Sequence, residues 1–457
     1  MKSNIKRLVV LLMVLAGFTA TLFGQENTKF SIKEAVAFAK KNNLSLQSKR
    51  LDENIANKMV KETFAQGLPQ ISAGASYNNN IQIATQRLPN FINDALPAGS
   101  PRGPEFIDAQ FGVANSLTVN AQLNQLIFDG TYFLGLKAAQ EFVKISEYQI
   151  QQSEIEVEVN TIKSYYAVLM ADKRIELIEN NIQSLDSSLY SLRALAKEGF
   201  AEMVDTARVA LSLSNLSIQK ARLKDQRKVM ANLLKLQMGY DISKPIELTE
   251  TTESLESALR AVDVSTNGNI ANRAEYKLLS QQVKLGLLDK KRYQMAYLPT
   301  LNGFLNHQQN TFASEGNLNQ LGNPWFPGTT WGLSLNVPIF KGFRTSSQIA
   351  QADLRLTQYK LSQQQFEQAY QNEVISAQNN YLRAVESYNL QKKNVDLANE
   401  IKRIAKLKFQ EGLGTSLEYT TAENESNVSE ANLVIALYEM MMAELDYRKA
   451  TGSAIMN

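Results

Sequence analysis

The chain of 457 residues carries 48 Lys and Arg against 45 Asp and Glu, with one histidine and no cysteine. This near-neutral balance gives no support for nucleic-acid binding, and zero cysteine removes a disulfide framework, a thiolate metal site and a lipidated N-terminal Cys. A single histidine leaves no His cluster for a metal and no His-based triad unless His307 itself serves.

The chain opens as an export signal. Lys2, Lys6 and Arg7 form a basic start, and Leu8–Phe18 (LVVLLMVLAGF) is an apolar run too short for a comfortable membrane span. Small residues at Ala20 and Gly24 place cleavage near Gly24/Gln25, so residues 1–24 are expected to be removed; the alternative is a retained N-terminal anchor. Removal takes away those three positive charges and no acid, which leaves 45 basic against 45 acidic residues. No later segment reaches about eighteen consecutive apolar residues. The exported chain is expected to be periplasmic, secreted or an outer-membrane β-barrel.

The rest reads as one unit written twice, residues 25–240 and 270–457, with a connector over 241–269. LPQISAGASY (68–77) matches LPTLNGFLNH (298–307), and LIFDG (126–130) matches the end of VPIFKG (337–342). EGF (198–200) matches EGL (411–413), and QMG (237–239) matches ATG (450–452). Each copy runs helix, strand, long loop, strand, long helix, turn, helix. In TWGLSLNVPI (330–339), Trp331, Leu333, Leu335, Val337 and Ile339 alternate with Thr330, Gly332, Ser334 and Asn336, the period of a strand with one apolar and one wet face. The strand segments are about ten residues, enough for a tilted strand to cross a bilayer. Residues 85–110 and 309–329 collect Pro, Gly and Asn and are expected to be long external loops, with Trp325, Phe326 and Trp331 near an interface. The connector holds a proline, a short amphipathic helix (SLESALRAV) and a polar stretch.

Two helical tracts dominate. The first is predicted from about Tyr132 to Lys197, then EGFAEM, then Met203 to Met238; the second from about Phe343 to Gln410, then EGLGTS, then a helix to about Ala450. At about 1.5 Å per residue the longer helices reach roughly 100 Å, which implies a coiled coil, a rod or a tube wall. Ile175, Ile178, Ile182, Leu185, Leu189, Leu192 and Ala196 step by three and four, a heptad seam, and Val204, Ala207, Leu211, Ser214 and Ile218 continue it after the turn. Both tracts are therefore antiparallel hairpins. Four strands per chain cannot close a barrel, since the smallest bacterial ones use about eight; three chains supply twelve.

Several local motifs resemble the TolC-like outer-membrane efflux proteins (outer-membrane factors). SIKEAVAFAKKNN (31–43) with Leu44 and Leu46 resembles the family's N-terminal helix, and Leu-Pro ending at Pro69 and again at Pro299 its helix-to-strand entry. SLNVPIFKGFR (334–344) resembles its strand-to-helix junction and EGLGTSLEY (411–419) its helical tip. The resemblance covers Phe30 to Gly452. It implies an α+β membrane protein: long coiled-coil hairpins forming a periplasmic α-barrel, and four strands per chain contributing to a shared 12-stranded trimeric β-barrel. It implies a homotrimer in outer-membrane lipid, extending into the periplasm, docked on a periplasmic adaptor (membrane fusion) protein and an inner-membrane pump of RND or ABC type. The function it implies is export across periplasm and outer membrane, of small molecules, drugs or metals, or of proteins by type I secretion. At the first junction Leu126 stands where the second has Pro338, and Lys341 stands where an acidic residue is common; the junction glycines Gly130 and Gly342 are both present.

A conduit needs residues that line and close it. Gly199 and Gly412 end their helices, where a left-handed residue is usual. By resemblance, Gly199, Phe200, Ala201, Gly412, Leu413 and Gly414 contact the adaptor; plain helix termination would need the glycines as well. By the same resemblance Glu418, Asp205 and Phe409 belong to the pore constriction, with Thr421 at the family's second acidic position and Glu423 and Glu425 near. Thr415-x-x-Glu418 is also a capping box, which explains Glu418 without a pore, and Phe409 has an equal role in the helical seam. At the junctions Pro338 fits where a ladder ends, and Gly342 permits the bend from strand to helix. No phosphate-binding Gly motif appears and no pocket-forming fold is suggested, so no enzyme, cofactor or metal is expected. The competing reading is a trimeric coiled-coil structural or adhesive stalk on a shared β-barrel anchor. It fits the heptads but does not need two hairpins per chain.

Overall fold

The structure, a computed structural model, describes residues 28–91, 95, 97, 99–199, 201–259, 268–314, 318–322, 324–453 and 455. The export signal and Phe200 lie outside the described residues. Among them no helix is long and apolar enough to cross a membrane.

The order of elements is β1 (Lys29–Phe30), α1 (Ile32–Asn42), α2 (Leu44–Ala65), β2 (Gln70–Asn79), β3 (Thr85–Pro89), β4 (Phe106–Gln110), β5 (Asn115–Phe128), α3 (Gly130–Lys197), α4 (Met203–Met238), β6 (Glu247–Leu248) and α5 (Thr252–Leu259). Then come α6 (Ala274–Met295), β7 (Thr300–Ala313), β8 (Phe326–Asn336), α7 (Arg344–Gln410) and α8 (Ser416–Thr451), with short 3₁₀ turns at Ile270–Asn272 and Leu318–Gln320. The duplication is metrical: the first hairpin has helices of 68 and 36 residues, the second of 67 and 36. Both second helices stop at a left-handed glycine, Gly239 (φ 68°) and Gly452 (φ 69°).

Two compact units result. One comprises the chain up to Glu53, Ile145–Ser280 and Leu361 onward; the other comprises Asn54–Lys144 and Gln281–Lys360. The first is a helical body. Its α1 starts with a capping box, Ser31 and Glu34 bonding each other's backbone, and buries Ile32, Ala35, Val36 and Ala39 on one face. These pack with Tyr165, Val168 and Leu169 of α3, Leu234 and Met238 of α4 and Met441 and Leu445 of α8 in one apolar core. Part of the connector joins this body: β6 pairs parallel with β1, and Glu250 accepts hydrogen bonds from the Ile32 N–H (3.0 and 2.9 Å) and the Tyr165 hydroxyl. The sequence showed no sign of this two-residue pairing.

The second unit holds an antiparallel four-stranded sheet in the order β2-β5-β7-β8. Its strands have 10, 14, 14 and 11 residues. Two loop expectations are corrected. Residues 85–110 contain a hairpin, β3 against β4, with Thr85 opposite Gln110 and Pro89 opposite Phe106. Likewise β7 runs on to Ala313 and β8 begins at Phe326, so the second loop is shorter than 309–329. Gln309 and Asn310 fall within that expected loop, yet their backbones pair in register with Pro327 and Phe326. Pairing is a backbone property, and polar side chains do not forbid it where a face is wet.

Candidate functional site

The turn after α3 places Gly199 at φ 80°, and the turn after α7 places Gly412 at φ 72°; open space surrounds both. At the second turn the N–H groups of Leu413 and Gly414 both donate to the Lys408 carbonyl, at 2.8 and 3.0 Å. Gly414 is needed for closeness: a Cβ there would lie 3.0 Å from that of Lys408. Leu413 projects into solvent, 82% exposed. Ala201, after the first turn, is drawn inward beside Leu185, Leu189, Leu192 and Val209, the same small core that Phe409 covers.

Asp205 and Glu418 have different surroundings. Glu418 is exposed and closes a capping box: Thr415 Oγ1 accepts from its N–H (3.2 Å), and its carboxylate accepts from the Thr415 N–H (3.4 Å). Asp205 instead accepts a hydrogen bond from the buried Ser416 hydroxyl, which ties the start of α4 to the start of α8. Sequence reasoning missed Ser416, because nothing local marks a bond between residues 211 apart. It also missed Tyr419, buried under Phe409 with its hydroxyl 3.1 Å from that of Ser188 on α3. Burial pushes the Tyr419 phenol above its ordinary value. One turn further on α8, the buried Glu423 pairs with Lys402 of α7 at 2.9 Å. Burial likewise raises the Glu430 carboxyl, against the pull of Lys402.

The junctions of the second unit are less alike than their sequences. Pro69 and Pro299 each precede the first residue of a strand, β2 and β7. Pro338 follows the end of β8 at Asn336, where no ladder bond needs its missing N–H. Gly342 (φ 55°) and Phe343 (φ 61°) both take left-handed backbone, which makes the bend. Gly130 has no such backbone; it begins α3, and a Cβ there would meet Met295 at 3.1 Å. Asp129 caps that helix by accepting from the Thr131 N–H at 2.7 Å. Lys341 cannot accept such a bond, so the second junction turns by backbone conformation instead.

Register gives the sheet two unlike faces. On one lie Ile71, Ala73, Ala75 and Tyr77, then Leu117, Val119, Ala121 and Leu123, then Leu305, Trp331, Leu333 and Leu335. The other carries Ser72, Asn78, Asn120, Gln122, Asn302, Asn306, Thr330 and Ser334, with Leu126, Phe304, Phe312 and Phe326 among them. The four strands hold no Asp, Glu, Lys or Arg. Along β7 the polar-face residues Asn302, Asn306 and Gln308 are half-buried, while Leu305 and His307 on the apolar face are exposed.

Known proteins share this arrangement. Residues 36–240 and 291–453 match the outer membrane efflux protein family. Outer membrane protein TolC of Vibrio cholerae is 21% identical over 427 residues, 91% of this chain and 89% of that protein. Outer membrane efflux protein BepC of Brucella suis is 24% identical over 458 residues, 98% of this chain and 90% of that protein. The solved structure of CusC superposes with a TM-score of 0.74 at 15% identity, covering 93% of this chain and 92% of that one. With both copies of its repeat matched, the chain belongs to the outer membrane efflux protein family.

Proposed function

We propose that three copies of this chain form an export channel-tunnel: their sheets close one twelve-stranded barrel in the outer membrane, and their helical hairpins line a conduit through the periplasm. The observation that carries this reading is the sheet itself. It has an apolar face, an uncharged and largely polar opposite face, and two outer strands, β2 and β8, with no further strand partner among the described residues. Open edges are costly in lipid, where every backbone N–H and C=O must be paired. Four strands from each of three chains give an even count within the range of bacterial barrels.

In this reading the helix turns are the periplasmic end. Gly199, Phe200, Ala201, Gly412, Leu413 and Gly414 meet a periplasmic adaptor, with exposed Leu413 as an apolar contact. An inner-membrane pump of RND or ABC type supplies the cargo, small molecules, metals or secreted proteins. Three copies of Glu418 and of Asp205 ring the entrance, and a ring of carboxylates favours cations; Phe409 packs behind them. Conductance of the detergent-purified protein in planar bilayers, with its mass in solution, tests the reading. A trimer with cation-preferring conductance is expected. A trimer that never conducts would favour the stalk, and a stable monomer would sink the shared barrel.

A further inference from the structure

In the second unit the ends of α2 and α6 and the starts of α3 and α7 wall a hollow of about 580 Å³, a volume usual for small-ligand sites. Its edge toward the sheet is Leu126, which pairs with Asn302 and so lies on the polar face. The hollow therefore opens beneath that face. Small residues line it: Gly135, Ala138 and Ala139 of α3, and Gly286 of α6. The two glycines have different purposes. Gly286 makes way for a ring, since a Cβ there would lie 3.0 Å from Tyr359 Cδ2. Gly135 makes way for nothing in this chain, since a Cβ there would meet no neighbouring atom within 4 Å. Glycine inside a helix is less favourable than alanine, and packing gives no reason for it at this position. The space it keeps open is the hollow's own.

Around that space stand Met59 and the rings of Phe142 and Tyr359, all exposed, the apolar and aromatic lining that ligand sites use. Most of the charged lining is already engaged. Asp129 Oδ1 accepts from the Thr131 N–H and hydroxyl, 2.7 Å each, at the start of α3. Asp289 Oδ1 accepts from the Arg292 guanidinium at 3.1 and 2.7 Å. Arg355 of α7 is the exception: it has no hydrogen-bond or ion-pair partner among the described residues, and it is exposed. A guanidinium presents its donors in one plane, a geometry that fits a carboxylate or phosphate. An apolar hollow with one unpaired cation suits an apolar body that carries an anionic group.

We propose that this hollow binds amphipathic organic anions, the apolar body against Phe142, Tyr359 and the space over Gly135, the acid group on Arg355. Three chains give three such sites along the conduit wall. The lumenal placement rests on the channel reading; the binding does not. The full-length protein in phosphatidylcholine nanodiscs, titrated calorimetrically against empty nanodiscs, should bind 2-naphthoate saturably, one per chain. Neutral 2-naphthylmethanol should bind about tenfold more weakly, as loss of charge-assisted hydrogen bonds requires, and cationic 2-naphthylmethylammonium more weakly still. Arg355→Met should bring 2-naphthoate down to the level of the neutral probe and leave the neutral probe unchanged. Gly135→Leu fills the hollow and replaces glycine by a better helix former, so it should fold and bind neither. Equal binding of the three probes, indifference to either substitution, or no saturable binding would each overturn the site. Single-channel current separates the site from the channel: 2-naphthoate should reduce it in the parent and not in Gly135→Leu. Calorimetric binding with an unchanged current would overturn the lumenal placement alone. A trimer that binds but never conducts would remove the channel and keep the site.

Discussion

The ring of Phe409 lies nearly parallel to that of Tyr419, 8° between planes and 5.7 Å between centroids. The pair joins the last turn of α7 to the first turns of α8 across EGLGTS, and the Tyr419 hydroxyl adds α3 through Ser188. Tyr419 is 1% exposed, so Tyr419→Ala leaves a cavity where three helices meet and should cost about 3–5 kcal/mol, the range for buried aromatics. Tyr419→Phe keeps the stack and loses one hydrogen bond, about 1 kcal/mol. Amide hydrogen exchange over residues 405–423 should accelerate strongly in the first variant and slightly in the second. Equal exchange in both would show that the stack contributes nothing to holding the turn.

The bond from Ser416 to Asp205 makes a different prediction, because it links the two hairpins. A hydrogen bond to a charged group contributes about 1.5–3 kcal/mol. If the closed entrance alone makes it, Ser416→Ala should raise the open population about ten- to a hundredfold, read as higher single-channel conductance. Asp205→Ala should do the same, and the double variant should add little, since one bond is lost in all three. Additive effects would show that the two residues act separately.

Helix ends were legible in the sequence because their causes are local. The Thr415–Glu418 capping box and the helix-ending glycines Gly199 and Gly412 each act within one turn, and each is present. Face alternation in β8 was legible for the same reason. Contacts set by tertiary placement were not: β1 against β6, Asp205 with Ser416, and Gln281 with Glu141 join residues far apart in sequence. The junction glycines show the limit of reading by repeat. Gly130 and Gly342 align, yet one is small for packing and the other left-handed for a bend.

Arg273 closes the far end of α8. Its guanidinium, 7% exposed, pairs with Glu275 (3.1 Å) and Glu373 (3.3 Å) and donates to the Lys449 and Ala450 carbonyls at 3.3 and 3.0 Å. Phe366 and Tyr370 lie 5.9 Å from it. Removing one partner of a buried ion pair costs about 3–5 kcal/mol, so Arg273→Ala should lower the thermal midpoint by several degrees. Arg273→Lys should recover little, because an ammonium cannot serve acids and carbonyls in one plane. Full recovery by lysine would reduce the site to simple charge.

Acid should weaken the second unit through Glu141. Lys284 lies 2.8 Å from its carboxylate and Gln281 2.7 Å; these bonds, Lys284 first, hold its pKa down to about 2 against the opposing effect of burial. A lowered carboxylate pKa stabilises the folded state above the ordinary value and loses that contribution as protonation sets in. The loss is expected between about pH 4.5 and 2. Glu141→Gln should be less stable at pH 7 and show a flatter stability curve across that window. Parallel curves for the two proteins would assign the acid limb to other groups.

Neighbouring residues of β8 give the sharpest test of the sheet. Leu333 lies on the apolar face and Ser334 on the polar one, paired with Gly303 and Asn302 respectively. An arginine toward lipid costs about 2–4 kcal/mol at the bilayer midplane and about 0–1 near the interface, whereas a lumen position tolerates it. Leu333→Arg should therefore impair insertion and lower barrel stability in a urea titration. Ser334→Arg should fold like the parent and shift conductance toward anions, since it adds three positive charges to an otherwise uncharged wall. The reverse pattern, with Ser334→Arg failing to fold and Leu333→Arg altering selectivity, would mean that the apolar residues face the lumen.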